Sequence, residues 1–232
     1  MAKKVLITGG TKGIGLVAAK RFLDNGYEVA IVGRDFSNFH EEGIRIFSFD
    51  LAKVSEIKTL AKKIGDVDIL VNNAGIDSQK PYDNYPEEDI HKIVNVNLRA
   101  PIEFINAFAP YWKKEKSGRV INIASQAGEV GHPDIWYGIT KAGLINVTKT
   151  YAAILGPQGV VLNAIAPGPV KTEMIENSEY SERFETVRQR TYLQRVAKPE
   201  EIAEVIYWLA TSAPEYINGE VIDLNNGAQK IK

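Results

Sequence analysis

Short apolar runs alternate with amphipathic stretches along the whole chain, and this alternation restricts the fold more than any other feature. The runs Val5-Leu6-Ile7, Glu28-Val29-Ala30-Ile31-Val32 and Ile44-Arg45-Ile46-Phe47-Ser48-Phe49 read as strands. So do Ile69-Leu70-Val71, Arg119-Val120-Ile121-Asn122-Ile123, Val160-Val161-Leu162-Asn163-Ala164-Ile165 and Glu220-Val221-Ile222-Asp223-Leu224. Helical spacing predicts helices over about 13–25, 54–63, 86–97 continuing towards Trp112, 136–155 and 200–210. Gly26 stands where glycine ends a helix. Strands that are apolar almost throughout are buried on both sides. The expectation is therefore an α/β fold: a mostly or fully parallel sheet of about seven strands in a three-layer, doubly wound arrangement.

The chain has 232 residues, enough to bury about 70–75% of its unfolded surface, and residues 1–232 are expected to form one domain. With 44% hydrophobic and 25% charged residues the balance is that of a soluble globular protein. A formal net charge of −1 argues against nucleic acid or an anionic membrane as partner. The chain contains no cysteine, which excludes disulfides and thiolate chemistry, and His40, His91 and His132 lack metal-ligand spacing, so no metal site is expected. The apolar run after Met1-Ala2-Lys3-Lys4 is too short for a signal-peptide core, and no stretch approaches the roughly 20 residues of a membrane span. A cytoplasmic protein is the expectation.

Between the first strand and first helix lies Thr8-Gly9-Gly10-Thr11-Lys12-Gly13-Ile14-Gly15. Glycines there let the backbone turn sharply and approach a pyrophosphate, and the following helix offers free N–H groups and the positive end of its dipole. The spacing is Gly-x-x-x-Gly-x-Gly, not the general Gly-x-Gly-x-x-Gly fingerprint.

This loop resembles the cofactor loop of the short-chain dehydrogenase/reductase family, single-domain branch. The companion motifs follow in order: Asn72-Asn73-Ala74-Gly75 after the fourth strand, Asn97 in the long central helix, Ser125 after the fifth strand, Tyr137-Gly138-Ile139-Thr140-Lys141 opening a helix, and Asn163-Ala164-Ile165-Ala166-Pro167-Gly168 ending the sixth strand. The ordered set is far more specific than any member and spans essentially the whole chain. It implies a Rossmann fold that binds a nicotinamide dinucleotide, with Asn97, Ser125, Tyr137 and Lys141 as the catalytic group.

Tyr137 and Lys141 are four residues apart and share a helix face. An ammonium near a phenol favours the phenolate, so the pair can act as general acid in reduction and general base in oxidation. The Ser125 hydroxyl is expected to bond the substrate oxygen as alkoxide charge develops. The resemblance further implies that Lys141 holds the nicotinamide ribose and that Asn97 binds a water linking Lys141 to solvent. Each residue also has a plainer reading: a helix-surface pair, a strand-end serine, a helix asparagine bonding its own backbone.

The second strand ends Val32-Gly33-Arg34. An acid at its end selects NAD through the ribose hydroxyls, whereas a basic residue accommodates the 2′-phosphate of NADP. Arg34 and Lys12 favour NADP(H); Asp35 is the counter-evidence, and NAD(H) is the second choice. By resemblance, Asp50 and Leu51 contact adenine, Asn73, Ala74 and Gly75 line the adenosine ribose side, and Val170 and Thr172, after Pro167-Gly168-Pro169, contact the carboxamide. Asn72 is read as a structural bridge between strands, and the segment from Arg34 to Asp50 as too short for a full helix.

Within the family, Ser117-Gly118-Arg119-Val120-Ile121, Lys171-Thr172-Glu173-Met174 and Tyr216-Ile217-Asn218-Gly219-Glu220 resemble 3-oxoacyl-acyl-carrier-protein reductases. An acidic carrier needs basic residues near the pocket mouth, and Lys113, Lys114 and Lys116 are candidates, against a solvated lysine run. The loop Gly156-Pro157-Gln158-Gly159 lacks the cation expected of such a reductase. Residues 171–195 read as a substrate lid. His132, Ile135 and Trp136 are candidates to touch substrate with Ser125 and Tyr137. Sugar, steroid, small-ketone and acyl substrates all fit these side chains. The resemblance also implies a homodimer or homotetramer through its long helices. The rival readings are the NAD-dependent dehydrogenase and a non-catalytic dinucleotide sensor. A methyltransferase shares the glycine turn but has no use for the Tyr–Lys pair.

Overall fold

The computed structural model describes residues 2–37, 39–78, 80–172 and 188–228. Seven strands, β1 (Lys4–Thr8), β2 (Glu28–Gly33), β3 (Ile44–Ser48), β4 (Ile69–Asn72), β5 (Gly118–Ile123), β6 (Val160–Pro167) and β7 (Val221–Leu224), form one sheet in the order β3-β2-β1-β4-β5-β6-β7. Every pairing is parallel. The predicted doubly wound Rossmann arrangement is borne out.

Successive strand residues face opposite sides, which explains the near-continuous apolar runs. Leu6, Val32, Leu70 and Leu162 join one core, with Phe104 and Trp112; Val5, Ile7, Ile31 and Ile165 join the other, with Phe22 and Ile202. The first core is covered by α2 (Ile57–Ile64), α4 (Ala100–Glu115) and α5 (Ile135–Leu155), the second by α1 (Gly13–Asp24) and α6 (Pro199–Thr211). Sealed on both faces, the sheet can bind a ligand only at its edges. The strand order reverses direction between β1 and β4, and their carboxyl ends open a crevice there.

Two details differ from the sequence expectation. The long central helix is not continuous: α3 (Glu87–Val94) passes into a π-helical turn, Asn95–Arg99, before α4 begins. Such a turn shifts the side-chain phase locally, and it carries Asn97. The lid expected at 171–195 is described only at its two ends; 173–187 lie outside the described residues. The far end is tied down, since Arg195 makes two bonds to Glu201 at 2.7 and 2.6 Å. No helix occurs among the described residues between Arg34 and Asp50, as expected. Among the described residues no helix is long and apolar enough to cross a membrane, and no cluster of three His, Asp or Glu could hold a metal.

Asn72 has the structural role expected of it. Its amide donates to Asn122 Oδ1 at 2.9 Å, and Asn122 donates onward to Thr148 Oγ1 at 3.0 Å, joining β4, β5 and α5 through a buried polar chain.

Candidate active site

A cleft of about 330 Å³ lies at the switch point, within the usual range of small-molecule sites. One end is built by the glycine loop. Gly9 and Gly13 have φ of +68° and +55°, which side-chain-bearing residues adopt at a cost. Lys12, the N-cap of α1, makes no side-chain cap bond, and Gly13 and Ile14 of its first turn line the cleft, where helix N–H groups suit an anion. The loop is braced from β4: Asn73 Nδ2 donates to the Thr8 and Gly9 carbonyls at 3.0 and 3.1 Å, and Thr8 Oγ1 accepts from the N–H groups of Asn73 and Ala74. Thr8 is thus a site residue whose role the sequence reading missed.

Gly10 and Gly15 do not line the cleft. A Cβ on Gly10 would lie 2.5 Å from Ile31 Cγ2, and one on Gly15 would meet the Gly9 carbonyl. They serve the cleft indirectly, letting the loop and helix close onto the sheet. Thr11, Lys12, Gly13 and Ile14 do line it.

At the β2 end the cleft reaches Gly33 and Arg34. A Cβ at Gly33 would stand 2.7 Å from Thr11 Cγ2, so no acidic side chain fits there without moving Thr11. Arg34 is exposed, and its guanidinium has no partner among the described residues. Asp35 is turned into its own loop, accepting from the Ser37 N–H at 2.8 Å, and that bond lowers its pKa. Asp50, Leu51, Ala74 and Gly75 line the wall, joined by Val96 and Lys92, which the sequence reading did not single out. Val170 and Thr172 line the opposite side, held by a bridge from Val170 to Ala197.

The other end holds Ser125, Tyr137 and Lys141. Ser125 Oγ accepts from the Ala127 N–H at 3.1 Å, leaving its proton for the Tyr137 oxygen or a ligand. Lys141 is 3% exposed and donates to the Ile123 carbonyl at 2.7 Å. Burial lowers its pKa to about 8, which leaves it mostly an ammonium at neutral pH. Gly75 makes room for it, as a Cβ there would lie 3.2 Å from Nζ.

The expected lowering of the Tyr137 pKa is not what this arrangement produces. The phenol is pushed up to about 12, chiefly by burial; contact with Ser125 works against this, and the charges of Asp77 and Asp134 add to it. Lys141 lies over the ring face, 5.6 Å from its centroid, and gives one of its N–H groups to the Ile123 carbonyl.

Asn97 is fully buried outside the cleft lining. Its oxygen accepts from the Ile76 N–H at 2.8 Å, and its amide donates to the Ile76 carbonyl at 2.8 Å and to Thr140 Oγ1 at 3.2 Å. It fixes the backbone beside Lys141. Trp136 is partly buried and does not line the cleft, Ile135 is exposed, and the His132 ring lies 5.2 Å from that of Tyr137. Lys113, Lys114 and Lys116 precede β5 and so sit at the amino edge of the sheet. The cleft is at the carboxyl edge, about 20 Å away along a six-residue strand. These lysines therefore do not border the cleft mouth.

Residues 9–229 match the model of the family described as enoyl-(acyl carrier protein) reductase. A 3-oxoacyl-[acyl-carrier-protein] reductase of Thermotoga maritima is 33% identical over 97% of both chains, and one of Synechocystis is 35% identical over 97% of this chain and 96% of its own. Among solved structures, ElxO with NADP bound has a TM-score of 0.88 at 32% identity, covering 100% of both chains. A 4-hydroxyisoleucine dehydrogenase complexed with NADH has a TM-score of 0.94 at 26% identity, covering 99% of this chain and 100% of its own. With a cleft of this design at the switch point and relatives matched along nearly its full length, this chain belongs to the short-chain dehydrogenase/reductase family.

Proposed function

We propose that this protein is an NADP(H)-dependent oxidoreductase that interconverts a carbonyl and an alcohol, acting as a reductase of a 3-oxoacyl thioester or related ketone. One observation carries the reading: Ser125, Tyr137 and Lys141 converge at one end of a cleft whose other end is an anion-binding glycine loop flanked by Arg34.

The cleft fits the dinucleotide. Uncapped N–H groups of α1 suit the diphosphate, and Arg34 and Lys12 suit a 2′-phosphate through charged donors. The crowding of Gly33 by Thr11 disfavours the acid that NAD selection uses. Asp50 and Leu51 take the adenine, Asn73, Ala74 and Gly75 the adenosine ribose side, Tyr137 and Lys141 the nicotinamide ribose, and Pro167, Gly168, Val170 and Thr172 the carboxamide side. Bound there, the nicotinamide supplies or takes up the hydride.

The chain's own residues handle the proton. Tyr137, kept protonated by its surroundings, gives its phenolic proton to the carbonyl oxygen as negative charge forms on it. Ser125 donates a second hydrogen bond to the same oxygen. The buried Lys141 ammonium stabilises the phenolate left behind, and Asn97, which retains one acceptor lone pair, orders a water that returns the proton. The NADP pool is usually kept reduced, which favours reduction as the working direction.

Several relatives are named as 3-oxoacyl reductases, and this supports the substrate class. The NADH-bound neighbour supports NAD as the second cofactor. Exposed apolar Ile139 and Ile154 on α5 support assembly as a homodimer or homotetramer, working in the cytoplasm. A panel of ketones and 3-oxoacyl thioesters, with an enoyl thioester as control, tests the reading by following NADPH absorbance. Turnover of the 3-oxo compounds is expected. Tight NADPH binding with no turnover across the panel would instead favour a dinucleotide sensor.

A further inference from the structure

Asp134 lies three residues before Tyr137 and is 2% exposed. A carboxylate this buried needs each oxygen satisfied, and its partners come from two distant parts of the chain. Oδ1 accepts from the Tyr137 backbone N–H at 3.0 Å, capping α5, and from the Tyr85 hydroxyl at 2.8 Å. Oδ2 accepts from the Ser78 N–H at 2.8 Å and from Ser78 Oγ at 3.4 Å. The Asp134 N–H donates to His132 Nδ1 at 3.1 Å, which turns the imidazole ring towards that of Tyr137. An ordinary cap, serine or threonine, would satisfy α5 but lacks the second oxygen that these links use.

We propose that Asp134 is a positioning residue for the reaction: one carboxylate fastens the helix turn bearing Tyr137 to Ser78 and to Tyr85, two residues that follow β4 in the chain. The phenol and these two anchors are thereby set together, so that Tyr137 meets Ser125 in one orientation. The charge has a second effect. Around Tyr137 stand Ser125, Lys141 on its own helix, His132 in the preceding loop, and the carboxylates Asp77 and Asp134; both carboxylates favour the neutral, proton-donating phenol.

The inference rests on Tyr137 as proton donor, and the test separates the two. Asp134→Ser keeps a cap on α5 but removes the charge and the ties to Ser78 and Tyr85. On the 3-oxoacyl thioester turned over by the parent protein, kcat should fall about tenfold with KM within about threefold, because misplacement costs rate more than binding. A kcat within twofold of the parent, or a KM that rises as much as kcat falls, overturns the proposal. Tyr85→Phe keeps the carboxylate and deletes one tie. It decides the matter if Asp134→Ser does not fold: a kcat about threefold lower supports the proposal and an unchanged one overturns it. Full turnover by Tyr137→Phe would instead remove the underlying reading of Tyr137.

Discussion

Lys141 reaches under Tyr137 to bond the carbonyl of Ile123 at 2.7 Å, with its nitrogen 5.6 Å from the centre of the phenol ring. The ammonium is held by β5 and offered to the face of the ring. Its charge costs stability, because burial depresses its pKa from 10.5 to about 8. Between those two values the unfolded chain binds more protons than the folded one, so this group makes stability rise with pH across that window.

Lys141→Met should therefore be more stable than the parent below pH 8, by on the order of 2–3 kcal/mol less the lost hydrogen bond. The advantage should shrink as pH rises towards 10.5. Urea unfolding at pH 6.5 and 9.5 measures both values. Turnover should be lost at either pH.

Tyr137→Phe should lower kcat at least a hundredfold, the usual contribution of a positioned proton donor, with NADPH affinity within a few-fold. Ser125→Ala should cost a similar factor through the missing donor to the substrate oxygen. Steady-state kinetics with fluorescence titration of NADPH separates these effects. A Phe variant with near-normal turnover would remove Tyr137 from the mechanism.

Arg34→Ala should weaken NADPH binding by about tenfold to a hundredfold, the range for charge-assisted bonds, and leave NADH binding unchanged. Gly33→Asp alone should not switch preference, because its Cβ would press on Thr11 Cγ2 at 2.7 Å. Pairing it with Thr11→Ser removes that methyl and should raise NADH affinity. Titration of the four proteins with both cofactors checks the pattern; tighter NADH than NADPH binding by the parent would overturn the assignment.

Glu201 is held to a pKa of about 2 by its bonds to Arg195 and to the Lys198 N–H. A depressed carboxyl contributes stability that is complete above its ordinary value, near 4.5, and is lost as pH falls towards 2. The pair is exposed enough that it contributes less than about 1 kcal/mol. Glu201→Gln should flatten the acid side of the stability profile between pH 4.5 and 2, as read by thermal unfolding.

Periodicity and local chemistry in the sequence determined the seven strands, their parallel order of reading, the glycine loop, the basic residue after β2 and the Tyr137–Lys141 spacing. Each depends on neighbours within a few residues, where backbone preference and side-chain phase are decided. The missing helix after Arg34 was legible for the same reason, whereas Asn72, expected to bridge strands, finds its partner in Asn122, 50 residues along the chain. Asp134 was not among the expected site residues, and its ties to Ser78 and Tyr85 span 56 and 49 residues. Only packing brings those atoms together. The raised pKa of Tyr137 likewise required knowing how the fold surrounds the phenol and that Lys141 bonds the Ile123 carbonyl. Folding also carried Lys113, Lys114 and Lys116 to the far edge of the sheet and turned Gly10 and Gly15 away from the cleft. Pattern along the chain sets what each segment becomes; desolvation and long-range hydrogen bonds, which depend on the whole packed molecule, set what the site can do.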